Sequence, residues 1–139
     1  MNQLKVNLSK ELIAAAKEAY DCAYAPYSKF HVGAAALTKS GKIIKGCNVE
    51  NASYGLTVCA ERNCISNAVI QGETDFELIV IYTEQDQLTP PCGACRQVIS
   101  EFFDRSAPVV ALNHKLEQQL WTVSELLPDA FTPKQLMDA

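Results

Sequence analysis

The chain has 139 residues, 48% apolar and 20% charged, a profile that fits one soluble globular domain with a sizeable core. Its formal net charge of −4 argues against a polyanion as the main partner, because nucleic-acid binders of this size usually carry a basic stripe. The densest cationic stretch, Lys39 to Lys45 with three lysines, fits a hairpin whose edge is blunted by lysine. Met1 to Lys10 is polar and lacks an apolar signal core. The longest apolar stretch, around Leu78 to Tyr82, has the length of a strand and not of a membrane span. The expectation is a cytoplasmic protein with no membrane or nucleic-acid partner, folded as a single domain over 1–139. In that compartment thiols stay reduced, so cysteine patterns read as metal-binding or catalytic.

Ser9 to Ala23 reads as an amphipathic helix, with Ser9 as N-cap and apolar residues at Leu12, Ile13, Ala16, Ala19, Tyr20 and Ala23. Pro26 ends it. Phe30 to Thr38 and Lys42 to Val49 read as strands joined at Ser40-Gly41, which makes a hairpin. Leu56 to Ile70 is helical and stops at Gly72. Phe76 to Tyr82 is almost wholly apolar, as a strand covered on both faces is. Cys92 to Phe103 is a third helix, and Pro108 to Leu112 and the Leu116 to Trp121 region are further strands. Val123 to Leu127 and Pro133 to Met137 read as short helices. This order predicts an α/β fold, a mixed sheet flanked by helices.

Six cysteines are present: Cys22, Cys47, Cys59, Cys64, Cys92 and Cys95. Cys92 and Cys95 share one face of a helix, and a helix N-terminus stabilises thiolates there. With Cys59 they make three ligands for one metal ion. A tetrahedral zinc would then keep an open position, as catalytic zinc sites do. Two other readings compete. One is a thioredoxin-like redox pair at Cys92 and Cys95. The other is a structural four-cysteine site with Cys64, but Cys59 and Cys64 lie about 140° apart around a helix, so Cys64 reads as a small core residue. Cys22 and Cys47 read as core or half-buried positions.

Glu61 follows Cys59 by two positions. The two side chains can face one site only if Cys59 stands at the start of the helix. A plain first-turn carboxylate favouring the helix dipole is the simpler alternative. Three thiolates on Zn²⁺ leave a net negative site, so Arg62 and Arg96 are candidates to donate hydrogen bonds to sulfur, against solvated helix charges.

Cys59-Ala60-Glu61 paired with Pro91-Cys92-Gly93-Ala94-Cys95 resembles the zinc-dependent nucleoside and nucleobase deaminases. The stretches Ala25 to Ala35, Gly46 to Thr57, Cys92 to Val98 and Leu126 to Phe131 resemble the small homotetrameric cytidine deaminases in particular. The resemblance implies a three-layer α/β/α fold with a mixed five-stranded sheet and a homotetramer. It implies Zn²⁺ on Cys59, Cys92 and Cys95, with Glu61 as proton shuttle; of the two arginines, placement next to Glu61 favours Arg62 beside the sulfurs. It places Asn48 and Glu50 on the ribose hydroxyls, a role that suits two strand residues facing one side. It places Phe30 on the pyrimidine ring and the backbone N–H of Ala60 on the base carbonyl. Phe131 would reach into the site of a neighbouring subunit, with Tyr54 also near that boundary. Pro90 stands where the family often has serine, and it keeps the carbonyl that the family uses. The implied reaction is hydrolytic deamination of cytidine and deoxycytidine to uridine and deoxyuridine, releasing ammonia, a step of pyrimidine salvage.

Overall fold

Ser9 starts the first helix: its Oγ accepts a hydrogen bond from Leu12 N at 3.1 Å, which satisfies one of the helix's free N–H groups. The computed structural model describes residues 5–137, so Met1 to Leu4 of the polar N-terminal stretch lie outside the described residues. Helix α1 covers Lys10–Asp21 and buries Leu12, Ala15, Ala16 and Ala19. Then follow β1 (Gly33–Thr38), β2 (Ile43–Cys47), a 3-10 turn (Tyr54–Leu56), α2 (Ala60–Ile70), β3 (Phe76–Thr83), α3 (Gly93–Phe102), β4 (Pro108–Asn113), β5 (Gln118–Thr122), α4 (Val123–Leu126) and α5 (Pro133–Met137).

The five strands form one sheet in the order β2-β1-β3-β4-β5. β3 and β4 are parallel and the other pairs are antiparallel, so α3 is the crossover that a parallel pair requires. Alternate strand residues feed two separate cores. Ala35, Val80, Tyr82, Val110 and Leu112 pack with α1, while Ala34, Ala36, Ile44, Ile79, Ile81 and Val109 pack under α2 and α3. The three-layer α/β/α arrangement with a mixed five-stranded sheet is therefore present, and β3 is covered on both faces. Edge strand β2 belongs to the lysine-bearing hairpin. Lys39, Lys42 and Lys45 pair with Asp104, Glu73 and Glu18.

Four element boundaries differ from the sequence reading, three because a residue finds another partner and one because of backbone conformation. Phe30 to Val32 do not join β1. The Asn48 side chain instead takes their backbone groups, accepting from Val32 N at 2.9 Å and donating to Phe30 O at 2.8 Å. β2 ends at Cys47, and Val49 exchanges two 3.0 Å backbone bonds with Val58. That bridge keeps Val58 extended, so α2 begins at Ala60 and not at Leu56. β5 starts at Gln118 and not at Leu116, because Leu116 has φ +62° in the preceding turn. Cys22, expected in or near the core, is exposed; Cys47 is half-buried and Cys64 is buried.

Small residues set how closely α2 approaches the sheet. A Cβ at Gly46 would meet Cys64 Cα at 2.5 Å and Ala60 O at 2.7 Å, with Cys64 N closer still. Gly46→Ala must therefore push α2 away from β2. We expect a loss of about 1–3 kcal/mol by chemical denaturation, with reduced activity because Ala60 heads the helix that follows Cys59. Unchanged stability would contradict this packing.

Candidate active site

One end of the sheet gathers the chemistry. β1 runs antiparallel to both neighbours, so Gly33 at its start pairs with Cys47 at the end of β2 and with Tyr82 near the end of β3. The segments before β1, after β2 and after β3 therefore meet, and α2 and α3 begin there. Cys59 and Cys92 are the N-cap residues of these two helices, both in extended conformation. Cys95 lies one turn into α3 and is fully buried. The Sγ atoms of Cys59 and Cys92 are 3.8 Å apart, and those of Cys92 and Cys95 are 3.5 Å apart. All three lie within 4.8 Å of one another, and no further metal-binding side chain joins them among the described residues. Sulfurs on a tetrahedral zinc, at about 2.3 Å from the metal, stand about 3.8 Å apart, so the donor set fits zinc with one position open. Cys64 points elsewhere, its thiol donating to Ile44 O at 3.2 Å.

The cluster has a marked electrostatic bias. A hydrogen bond from the Cys95 thiol, followed by the Arg62 guanidinium, pulls the Cys59 thiol down to about 5, while Cys95 itself is held up. Arg62 Nη2 lies 3.5 Å from Cys59 Sγ. Arg96 faces away from the thiols. It donates to Pro91 O at 2.8 Å and to Leu126 O at 3.2 Å, and so ties the start of α3 to α4.

Glu61 is only 4% exposed. With Cys59 at the N-cap, the carboxylate two positions on turns into the same site. In the metal-free protein, burial pushes the Glu61 carboxyl up from 4.5 to about 7, and the Cys59 thiolate adds to the rise. The fold therefore favours the protonated form. Its contribution to stability is fully present below about pH 4.5 and is lost as pH rises to about 7. That loss is roughly 3 kcal/mol at about 1.4 kcal/mol per unit. Subtracting the metal-free stability of Glu61→Gln from that of the unaltered chain isolates it. The difference should fall with rising pH across this window, and a flat difference would contradict the burial.

Beside the thiols lies a cavity of about 210 Å³ lined by Phe30, Asn48, Cys59, Ala60, Glu61 and Cys92. Ile81, Thr89 and Pro90 form further wall. Asn48 is buried, and its bonds to Phe30 and Val32 leave it one amide N–H and one lone pair for a ligand. Glu50 does not share this cavity. It lines an adjoining hollow of about 350 Å³ with Tyr27, Ser28, Tyr54 and Thr57, and Thr57 borders both spaces. Asn48 and Glu50 are thus neighbours past the end of β2, not partners on a regular strand. Phe131 is exposed and outside both spaces; its carbonyl accepts from Gln97 Nε2 at 2.9 Å.

A family model for the cytidine and deoxycytidylate deaminase zinc-binding region matches residues 6–111. The chain belongs to the cytidine and deoxycytidylate deaminase family. A cytidine deaminase of Sporosarcina psychrophila is 46% identical over 127 residues, covering 91% of this chain and 93% of its own length. A blasticidin-S deaminase of Bacillus cereus is 35% identical over 130 residues, covering 88% of this chain and 91% of its own. The crystal structure of cytidine deaminase from Burkholderia pseudomallei superposes with a TM-score of 0.84 at 46% identity, covering 89% of this chain and all of that one.

Several residues that shape this deaminase-family site were given no functional role by the sequence. Ile81 and Thr89 face the cavity only because β3 ends beside it. Asn63 donates to Cys47 O at 2.8 Å, and so joins the first turn of α2 to the segment that carries Asn48. Ser28 reaches Glu50 across 22 positions, a contact that only the fold creates.

Proposed function

We propose that the protein is a zinc-dependent hydrolase that deaminates cytidine and deoxycytidine, acting in the cytoplasm in pyrimidine salvage. The observation that carries this is a buried carboxylate, Glu61, in one cavity with thiols spaced for an open zinc site. Cys59, Cys92 and Cys95 would hold the ion, and Arg62 would offset the charge of the thiolates. Zinc, when bound, supplies a Lewis acid that lowers the pKa of water at its open position.

The chain's own residues do the rest. Phe30 packs against the pyrimidine, and the Ala60 N–H, free at the start of α2, binds the base carbonyl. Glu61 takes a proton from water and delivers it to ring nitrogen N3, which makes C4 electrophilic. The hydroxide left from that water adds at C4. Glu61 then takes the proton of the new C4 hydroxyl and passes it to the amino group, which leaves as ammonia while the C4–O bond becomes the carbonyl of the product. One carboxylate serves as base and then acid because each of these atoms lies within its reach. Asn48 and Glu50 bind the ribose hydroxyls from the two adjoining spaces.

Loss of the cytidine absorbance band on mixing with zinc-loaded protein tests the reaction. No change with any cytosine nucleoside would contradict it and favour a zinc-stabilised binding module. Blasticidin S, the substrate named for one relative, serves as the competing substrate. The Asn48 and Glu50 groups beside the cavity favour the nucleoside. Asn48→Ala and Glu50→Ala should each raise KM for cytidine by about tenfold or more, the scale of a lost hydrogen bond to a polar or charged group. Unchanged kinetics in both would make the pair structural only.

We also propose a homotetramer, in which a neighbouring copy brings Phe131 to the site. Exposed Tyr54, Leu56 and Phe131 support it. Light scattering tests this, and a monomer at assay concentration would contradict it.

A further inference from the structure

Glu50 is held by the turn between α1 and β1 before any ligand arrives. Tyr27 N and Ser28 N each donate to its Oε1 at 3.1 Å, and the Ser28 hydroxyl donates to its Oε2. The same hydroxyl oxygen accepts from Phe30 N at 3.0 Å. A hydroxyl has a single proton. With Phe30 N–H occupying its oxygen, that proton goes to Glu50. The turn that presents these donors is closed by Lys29 N on Ala25 O at 3.0 Å and by Lys29 itself at φ +61°. Oε1 thus receives two protein donors and Oε2 one, which leaves Oε2 the freer oxygen for a ligand hydroxyl in the hollow beside Thr57.

We propose that Ser28 is a positioning residue for sugar recognition: it aims the Glu50 carboxylate at the ring hydroxyls of the nucleoside while fixing the backbone of Phe30, which lines the base cavity. This rests on the reading of Glu50 as the ribose-binding group. Ser28 thereby links the two spaces, one for the base and one for the sugar. The same donors, led by the Ser28 hydroxyl, also hold the Glu50 carboxyl below its usual range, so it stays an acceptor for hydroxyl donors.

The test compares cytidine with dideoxycytidine, which lacks both ring hydroxyls, in zinc-loaded protein. Ser28→Ala should lower kcat/KM for cytidine by about 10- to 100-fold, the scale of a lost hydrogen bond to a charged group, mainly through KM. Its effect on dideoxycytidine should stay within about threefold, because Glu50 has no partner there. Ser28→Thr, which keeps the hydroxyl at an exposed position, should restore cytidine turnover. Equal losses on both nucleosides would overturn the proposal in favour of a role in folding the turn or placing Phe30. No loss on cytidine would overturn it as well. Ser28→Cys, a weak donor of similar size, supplies the same comparison if the alanine variant does not fold. Glu50→Gln in parallel separates the two levels. If Glu50→Gln shifts the cytidine preference and Ser28→Ala does not, only the positioning role falls. If neither shifts it, the ribose reading of Glu50 falls too.

Discussion

Glu61→Gln should keep its zinc and lose at least about 10²- to 10⁴-fold in kcat, the usual contribution of a positioned acid–base group. The substitution is nearly isosteric in a buried site, so it disturbs packing little. Glutamine can still hydrogen-bond in the cavity, but it cannot take a proton from water or return one to the departing amino group. KM for cytidine should therefore move much less than kcat, the pattern of an interaction needed only in the transition state. The proposed metal donors are all sulfur, so zinc content should remain at one per chain. Bound zinc with near-normal turnover would sink the proton-shuttle role. Loss of zinc together with activity would instead make Glu61 a structural support of the metal centre.

Cys92→Ala should lower metal content and activity together, with metal affinity falling by more than about 100-fold, since even residues that merely orient ligands cost 10- to 100-fold. Cys92 is the informative choice among the three thiols. It is exposed, whereas Cys95 is fully buried and its truncation would also leave a cavity. A folded Cys92→Ala protein with stoichiometric zinc would overturn the ligand assignment. Cys64→Ala is the control. Its thiol sits in the core against Ile44 O, so it should cost stability and leave zinc content unchanged.

The clustering of Cys59, Cys92 and Cys95 was legible in the sequence because helix geometry leaves few solutions. Glu61 two positions after Cys59 required Cys59 at a helix start, and it is the N-cap of α2. The five-residue spacing of Cys59 and Cys64 excluded a shared ion, and Cys64 is a core residue. The layered fold was legible too, since β3 is apolar on both faces and α1 carries a capped amphipathic pattern. Substrate-facing detail was less so. Asn48 and Glu50 read as strand residues by their spacing. The Asn48 side chain takes the place of a ladder partner for Phe30 and Val32, and Val49 pairs with Val58 and not with β1. Those outcomes depend on side-chain hydrogen bonds between distant segments, which periodicity does not encode. The same holds for Ser28 on Glu50 and for the Ile81 and Thr89 wall. The sequence favoured Arg62 beside the sulfurs but left the role of Arg96 open, because it too stands beside a candidate ligand. Only the fold turns one toward sulfur and the other toward two carbonyls.

Turnover of a cytosine nucleoside should require one zinc ion at the three thiols. Zinc content and cytidine absorbance decay can be measured on one sample, before chelation, after it, and after zinc is returned. Activity should be proportional to bound zinc, lost on chelation and recovered near one equivalent. Full cytidine turnover by protein stripped of metal would contradict that requirement.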